Sequence, residues 1–448
     1  MKNNETHLEY KKRVLDILSP SFCAAKWYNA TIWLGSGMTT SCHHPTPHFV
    51  SVPSIKENYK SLHNTVEKKR DRMLMQIGKR PEGCSYCWKI EDLGETFVSD
   101  RPAQSKNYSD RDVFDAFETD KEKDINLKKL EISFDKTCQF ACAYCSPIFS
   151  STWVKDIKKN GPYLSLDSDK NGHYVSSHET SQLYDINEEN PYIEAFFKWW
   201  ENGLRESLQE LRITGGEPLM SGYTWRLLDR IKNSNGKNPS IAINTNLGVD
   251  KKNLEQLLSY TDKVDISIYT SNESCQQVSE YIRDGFKWEN WYDNVEFLLQ
   301  SKRINHLNIM STVNATCLFS LPDFIEVLVN LKRIYGKNQL FFALNILRTP
   351  EFHSINSLPQ DIKSFYSNHI FSKLKKYQTE DLLTGSEKNH ILRLIELLKT
   401  PESPNQKKLE KDFKKFYQQY DLRRNKSFEN TFDSTLINWY KNINIDEN

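Results

Sequence analysis

The sequence predicts an α/β fold in which a parallel sheet carries its helices on the outside, with a small cysteine-bearing region before it and helices after it. Three observations lead there. From Leu130 to about Leu347, strand-like and helix-like stretches alternate six times, the pattern that favours a parallel sheet. At 448 residues the chain exceeds one average domain, so two or three units are expected. The two segments richest in chemistry each sit just past a strand, where open parallel sheets bind their ligands.

The elements follow in order. Asn64 to Ile77 has helical spacing with Gly78 as its stop, and its Lys68-Lys69-Arg70 patch reads as a solvated face. The first strand is Leu130-Glu131-Ile132-Ser133-Phe134, and a helix is expected to begin within Ser150 to Lys158. Asn160 to Asn190 is rich in Ser, Asp, Asn and Gly and reads as a polar insertion, the kind of long loop that often serves as a lid. Pro191 opens a helix through Phe196, Trp199 and Leu204, proline suiting a first turn. Further strands are expected at 211–214, 240–244, 263–269, 306–312 and 339–346, with helices at 223–232, 288–300 and 321–331 between them. After Pro350 the strand signal ends. Ile391, Leu394, Ile395 and Leu398 form one apolar stripe and Leu409, Phe413, Phe416, Tyr417 and Tyr420 another, both helical.

Composition sets bounds. Sixty basic residues balance fifty-nine acidic ones, so no overall field recommends nucleic acid or an anionic membrane as partner. No apolar run is long enough to span a bilayer. Met1 to Thr6 lacks the apolar core of a signal peptide, and nine cysteines read as thiols point to a reducing cytoplasm.

Cys138, Cys142 and Cys145 stand as Cys-x3-Cys-x2-Cys directly after the first strand. Three thiolates on one short loop can hold three irons of a four-iron cubane, leaving the fourth iron open to chelate a small molecule. Structural zinc wants four closed ligands, and a disulfide framework suits neither an odd count nor a chain without secretion signals. A second segment, Thr214-Gly215-Gly216-Glu217-Pro218, ends the second strand. Its glycines let backbone approach a ligand, and Glu217 offers a carboxylate to an ammonium.

Together these segments resemble the radical S-adenosylmethionine (radical SAM) superfamily, which also carries an aromatic before its last cysteine, as Tyr144 is here. The resemblance implies an open (β/α)6 partial TIM barrel, a [4Fe-4S] cluster on Cys138, Cys142 and Cys145, and S-adenosylmethionine held by Gly215, Gly216, Glu217 and Pro218. Asn244 and Asn246 match the superfamily's third strand end, and Ser267 a ribose-contacting place on the fourth. Asn314 is a candidate polar contact after the fifth. Each of those four residues also suits the plainer role of capping strand-end backbone. Many members have Asp and Gly where this chain has Tyr269 and Thr270.

Cys23, Cys42, Cys84 and Cys87 precede the barrel. One Cys-x2-Cys clip with two single thiols suits a tetrahedral zinc or all four corners of a cubane, and spacing does not separate the two; His43, His44 and His48 add possible zinc ligands. The order of these cysteines resembles radical enzymes with a twitch-type (SPASM-related) auxiliary domain, which implies an auxiliary [4Fe-4S] cluster. An Asp-x-x-Arg segment, Asp421 to Arg424, followed by Ser427-Phe428 and Thr431-Phe432, recurs near the end of those relatives. Cys275 and Cys317 are isolated and read as structural.

The domains expected are therefore 1–125 (auxiliary iron–sulfur), 126–350 (partial barrel) and 351–448 (helical extension). The implied activity is reductive cleavage of S-adenosylmethionine to a 5′-deoxyadenosyl radical that abstracts hydrogen from an organic substrate. The leaning is to a peptide or protein side chain, with a sugar or nucleotide-like small molecule as alternative. A flavodoxin or ferredoxin is the expected electron donor. The reading from another class is a zinc-dependent binding module, favoured by the Cys-x2-Cys clip and nearby histidines.

Overall fold

In the computed structural model, which describes residues 5–169, 172–184 and 188–445, the strands are β1 (Asn29–Trp33), β2 (Met38–Thr40), β3 (His48–Phe49), β4 (Lys129–Ser133), β5 (Ala141–Cys142), β6 (Glu210–Thr214), β7 (Ser240–Thr245), β8 (Ile266–Thr270), β9 (Arg283–Asp284), β10 (Leu307–Val313) and β11 (Leu340–Ile346). β4, β6, β7, β8, β10 and β11 are the six predicted strands, each followed by helix. The fold is α/β with a parallel-dominated sheet and a helical C-terminal region, the pattern of an open (β/α)6 partial TIM barrel. The chain divides into two compact units that interleave in sequence.

The first unit comprises residues 1–135, 182–214 and 233–241. Its sheet runs in the order β6-β4-β1-β2-β3. β4 pairs in parallel with β6, Ile132 opposite Ile213, and with β1, Ile132 opposite Ile32. All three isoleucines are fully buried, so each strand adds to one apolar layer. β2 and β3 extend the edge antiparallel. Sequence reading did not anticipate β1: its Thr31-Ile32-Trp33 run favours a strand but is short, and the ladder to β4 fixes it as one. Because β1 pairs with β4, the sheet of this unit runs across residue 125. The expected helix is present as Val66–Gln76, capped by Thr65, whose side chain accepts from the Lys68 amide. Its Lys68, however, is not on a solvated face: it is 2 % exposed, and its ammonium donates to Thr39 Oγ1 and the Thr40 carbonyl. Pro191–Trp199 is the predicted proline-led helix, and Asn190 caps it through the Tyr192 and Ile193 amides. It runs into a π turn that breaks at Asn202 and Gly203.

The second unit comprises residues 136–181, 215–232 and 242–448. It carries the end of β7 with β8, β10 and β11, and β10 pairs in parallel with both β8 and β11. The C-terminal stripes bury as predicted. Gly385–Leu397 opens with a Thr384/Glu387 capping box, and Glu387 also holds Lys332 of the helix Leu321–Tyr335 in a buried pair at 2.7 Å. Gln406–Arg424 buries Leu409, Phe413, Phe416, Tyr417 and Tyr420. Of the polar insertion, Lys170, Asn171 and residues 185–187 lie outside the described residues. Its Tyr163 and Tyr174 are buried against Trp153 and Phe416.

Candidate functional site

The cysteine loop is shaped by the helix that follows it. Ser150 is the N-cap of Ser151–Asn160, accepting from the Trp153 amide, and its hydroxyl donates to the Phe140 carbonyl at 2.6 Å. Ser151 and Thr152 hydroxyls donate to the Cys138 carbonyl, and the Trp153 indole donates to that of Cys142. The loop's carbonyls are thus turned onto the helix, which frees its side chains for other partners. Burial pushes the Cys138 thiol up to about 12 and raises Cys142 and Cys145 as well, and the neighbouring cysteines add to the rise at Cys138 and Cys145. Such sulfurs stay protonated until a metal ion, which ionises a coordinating thiol outright, supplies the charge. Three buried thiols on one short loop, each raised by burial, fit a metal cluster by that donor chemistry.

The glycine-rich segment docks on this loop. A Cβ on Gly216 would stand 2.3 Å from the Thr137 carbonyl oxygen, so only glycine permits the approach. The Glu217 amide donates to that same oxygen at 2.6 Å. The Glu217 side chain is 1 % exposed, and burial raises its carboxyl to about 7 against three hydrogen bonds that pull the other way. Its Oε1 accepts from the Leu219 amide and the Thr245 hydroxyl, and its Oε2 from the Asn246 amide at 2.6 Å. Two of the carboxylate's oxygen positions are therefore filled on Oε1, and acceptor capacity remains on Oε2. Pro218 opens the short turn that follows.

Asn246 completes the contact between motifs. Its Nδ2 lies 3.8 Å from the Cys138 sulfur and its amide exchanges hydrogen bonds with Gln139. Asn244 is the penultimate residue of β7, partly buried. Ser267 is the second residue of β8, inside the strand rather than at its end. Asn314 caps the turn after β10: its Oδ1 accepts from the Thr316 amide and hydroxyl, and its Nδ2 donates to the Thr312 carbonyl. Tyr144 donates to Glu273.

Sequence reading missed a partner of the loop. β9 pairs antiparallel with β5, setting Arg283 opposite Cys142. Arg283 Nη1 is 3.9 Å from the Cys142 sulfur, and Nη2 donates to Glu273 at 2.6 Å. Contacts 130 or more residues apart leave no local signal; the long connection between β8 and the helix Trp288–Ser301 was the one available hint. Arg423 and Arg424 of the Asp-x-x-Arg segment are committed to the scaffold. Arg423 donates to the Gly161 and Pro162 carbonyls. Arg424 stacks on Trp153 and Tyr420 and pairs with Asp156 and Asp284.

In the first unit Cys23, Cys42, Cys84 and Cys87 line one cavity together with Lys26, His44, Asp100 and Arg101. Burial raises all four thiols, Cys84 to about 12 and Cys87 to about 11. Lys26 and Arg101 are buried there against Asp71 and Glu91. His44 bonds Asp100 and stacks on Tyr86, whereas His48 faces a neighbouring cavity and bonds Thr65. Among the described residues no three His, Cys, Asp or Glu side chains gather tightly enough to share one ion. Also among them, no helix is long and apolar enough to cross a membrane. Cys317 is buried and bonded to Asn314; Cys275 precedes the helix Gln276–Ile282.

Residues 132–319 match the family described as the Radical SAM superfamily. No curated protein matches the chain. Solved structures similar to it include native anSMEcpe with bound AdoMet, at 14% identity and TM-score 0.37, covering 57% of this chain and 63% of that one. Another is Streptococcus suis SuiB bound to precursor peptide SuiA, at 11% identity and TM-score 0.36, covering 79% of this chain and 70% of that one. The chain thus spans less than two thirds of the length of anSMEcpe.

Proposed function

From the premise that residues 132–319 of this chain are a radical SAM domain, we propose an enzyme that cleaves S-adenosylmethionine reductively and abstracts hydrogen from an organic substrate. When bound, a [4Fe-4S] cluster supplies the electron for that cleavage, and the cofactors carry the hard chemistry while the protein positions and shields it. Cys138, Cys142 and Cys145 are the residues that would hold the cluster. The observation that carries the reading is the docking of two sequence-distant motifs: the Glu217 amide donates to the Thr137 carbonyl beside Cys138, and Asn246 reaches the Cys138 sulfur.

Around that contact the residues take separate roles. Gly216 keeps the loops close enough for a ligand to touch both. The acceptor capacity left on Glu217 Oε2, with the backbone of Gly215 and Gly216, receives the methionyl ammonium. Tyr144 and Asn244, with Ser267, line the remainder. In the first unit Cys23, Cys42, Cys84 and Cys87 hold an auxiliary [4Fe-4S] cluster, one thiol per iron. The substrate is taken to be a peptide or protein side chain, a leaning that rests on the likeness to twitch-type enzymes, and the electron donor to be a flavodoxin or ferredoxin.

Anaerobic purification followed by metal analysis tests this. Brown protein with about eight irons and eight sulfides per chain, forming 5′-deoxyadenosine and methionine under a strong reductant, supports it. Cys142→Ala is expected to abolish that cleavage. A colourless, zinc-loaded protein that leaves S-adenosylmethionine intact would replace it with the zinc-dependent binding module.

A further inference from the structure

We infer that Arg283 is a positioning residue that sets how readily the cluster on Cys138, Cys142 and Cys145 takes up an electron, with Glu273 as its counterweight. The inference deepens the function proposed above and rests on it. Three placements lead to it. β9 lies against the cysteine loop as a second strand, with Arg283 opposite Cys142, and the Ala143 amide donates to the Ile282 carbonyl at 2.7 Å. The guanidinium, 4 % exposed, lies 3.9 Å from the Cys142 sulfur through Nη1 and over the Tyr144 ring. Its Nε, also buried, has no hydrogen-bond partner. A buried guanidinium keeps an idle donor at a cost.

Glu273 fixes the arginine from the other side. It is fully buried, accepts from Nη2 at 2.6 Å, and also receives the Tyr144 hydroxyl. Its turn is built by Asn272, whose Oδ1 accepts from the Glu273 amide and the Ser279 hydroxyl. The helix Gln406–Arg424 and Lys426 just past it hold β9 and the end of the helix leading into it. Tyr281 donates to Asp421 at 2.5 Å, Tyr420 donates to the Tyr281 carbonyl, and Asp284 pairs with Arg424 and Lys426. The Asp-x-x-Arg segment thus secures β9, and β9 delivers Arg283.

The physical consequence is directional. Accepting one electron from a low-potential donor adds one negative charge to the cluster and its three thiolates. A fixed cation beside one sulfur stabilises the reduced form more than the oxidised form, and donation to a ligand sulfur acts in the same sense. Glu273 opposes both. Removing either partner must therefore shift the midpoint in opposite directions, whereas general damage to the loop has no reason to do so.

The experiment is a reductive titration of the anaerobically loaded full chain, followed by electron paramagnetic resonance of the S-adenosylmethionine-binding cluster. Arg283→Gln is expected to lower the reduced-to-oxidised ratio at fixed potential about tenfold, a fall of about 59 mV for one electron. Glu273→Gln is expected to raise the ratio, and Arg283→Lys to recover most of the loss. Equal midpoints in all four proteins, or a fall in both Gln variants, would overturn the inference. Should Arg283→Gln fail to take up iron, Glu273→Gln decides alone: a rise supports the role, and no rise refutes it. A wild-type chain with no reducible cluster defeats the proposed function instead, so the two failures remain distinct.

Discussion

Gly216→Ala is the sharpest test of the contact on which the site depends. The added methyl would stand 2.3 Å from the Thr137 carbonyl oxygen and 2.7 Å from the Lys136 carbonyl carbon, both backbone atoms that no rotamer change can move. Reaching the shortest separation that real side chains show, near 3.0 Å, requires the two loops to part by roughly 0.7 Å. That displacement stretches the 2.6 Å bond from the Glu217 amide to Thr137 towards breaking. Overpacking of this kind costs about 1–3 kcal/mol, and the lost hydrogen bond about 1 kcal/mol more. The three cysteines do not move in sequence or in their helix contacts, so cluster content should be near that of the wild type. Misplacing reacting groups by about 1 Å can cost on the order of 100-fold in rate. The assay is 5′-deoxyadenosine formation under a strong reductant, normalised to cluster iron. Wild-type turnover per cluster would refute the claim that the Gly-Gly-Glu-Pro loop is held against the cysteine loop for function.

Three further outcomes follow from the packing. Burial raises the Glu217 carboxyl from 4.5 to about 7, so the folded state prefers its protonated form. The stability this confers is full below pH 4.5 and is lost as pH rises through 7, an amount of about 3 kcal/mol. Urea unfolding of the unliganded chain at pH 5 and pH 8 should therefore show wild type losing stability relative to Glu217→Gln, and a pH-independent difference would contradict it. Cys84→Ala should remove about four of eight irons while S-adenosylmethionine cleavage persists; loss of all iron would mean that the two sites are not separate. Arg424→Met leaves Asp156 and Asp284 without a cation they share and strips the stack on Trp153 and Tyr420. It should cost about 3 kcal/mol in chemical unfolding, and a change within 0.5 kcal/mol would show that the segment does not anchor β9.

Much of the barrel was legible because its signals are local. Strands such as β6 and β10 are short and alternate buried with less buried residues, and the helices between them repeat their apolar residues every three or four positions. The stripe from Leu409 to Tyr420 was read as core and is buried as core. What failed was also local reading, applied where distant partners decide. Lys68 sits in a basic run that suggests solvent, but Thr39 and Thr40 enclose it. β1 has only a short strand-favouring run of its own and is fixed as a strand through β4. Arg424 has Tyr420 one helical turn before it, but Trp153, Asp156 and Asp284 lie at separations no spacing rule covers.

By itself the sequence determined which residues have the chemistry to hold metal and to approach a ligand closely, because thiol spacing on one loop and paired glycines in a turn are covalent facts about neighbours. It also determined the six-fold alternation, since side-chain periodicity is written in the chain. Only the tertiary structure decided which of those residues meet. It brought Glu217 and Asn246 to the cysteine loop, gathered four scattered thiols around one cavity, and set Arg283 against Cys142. Burial in a shared low-dielectric interior, rather than any feature of the local chain, makes those pairings count.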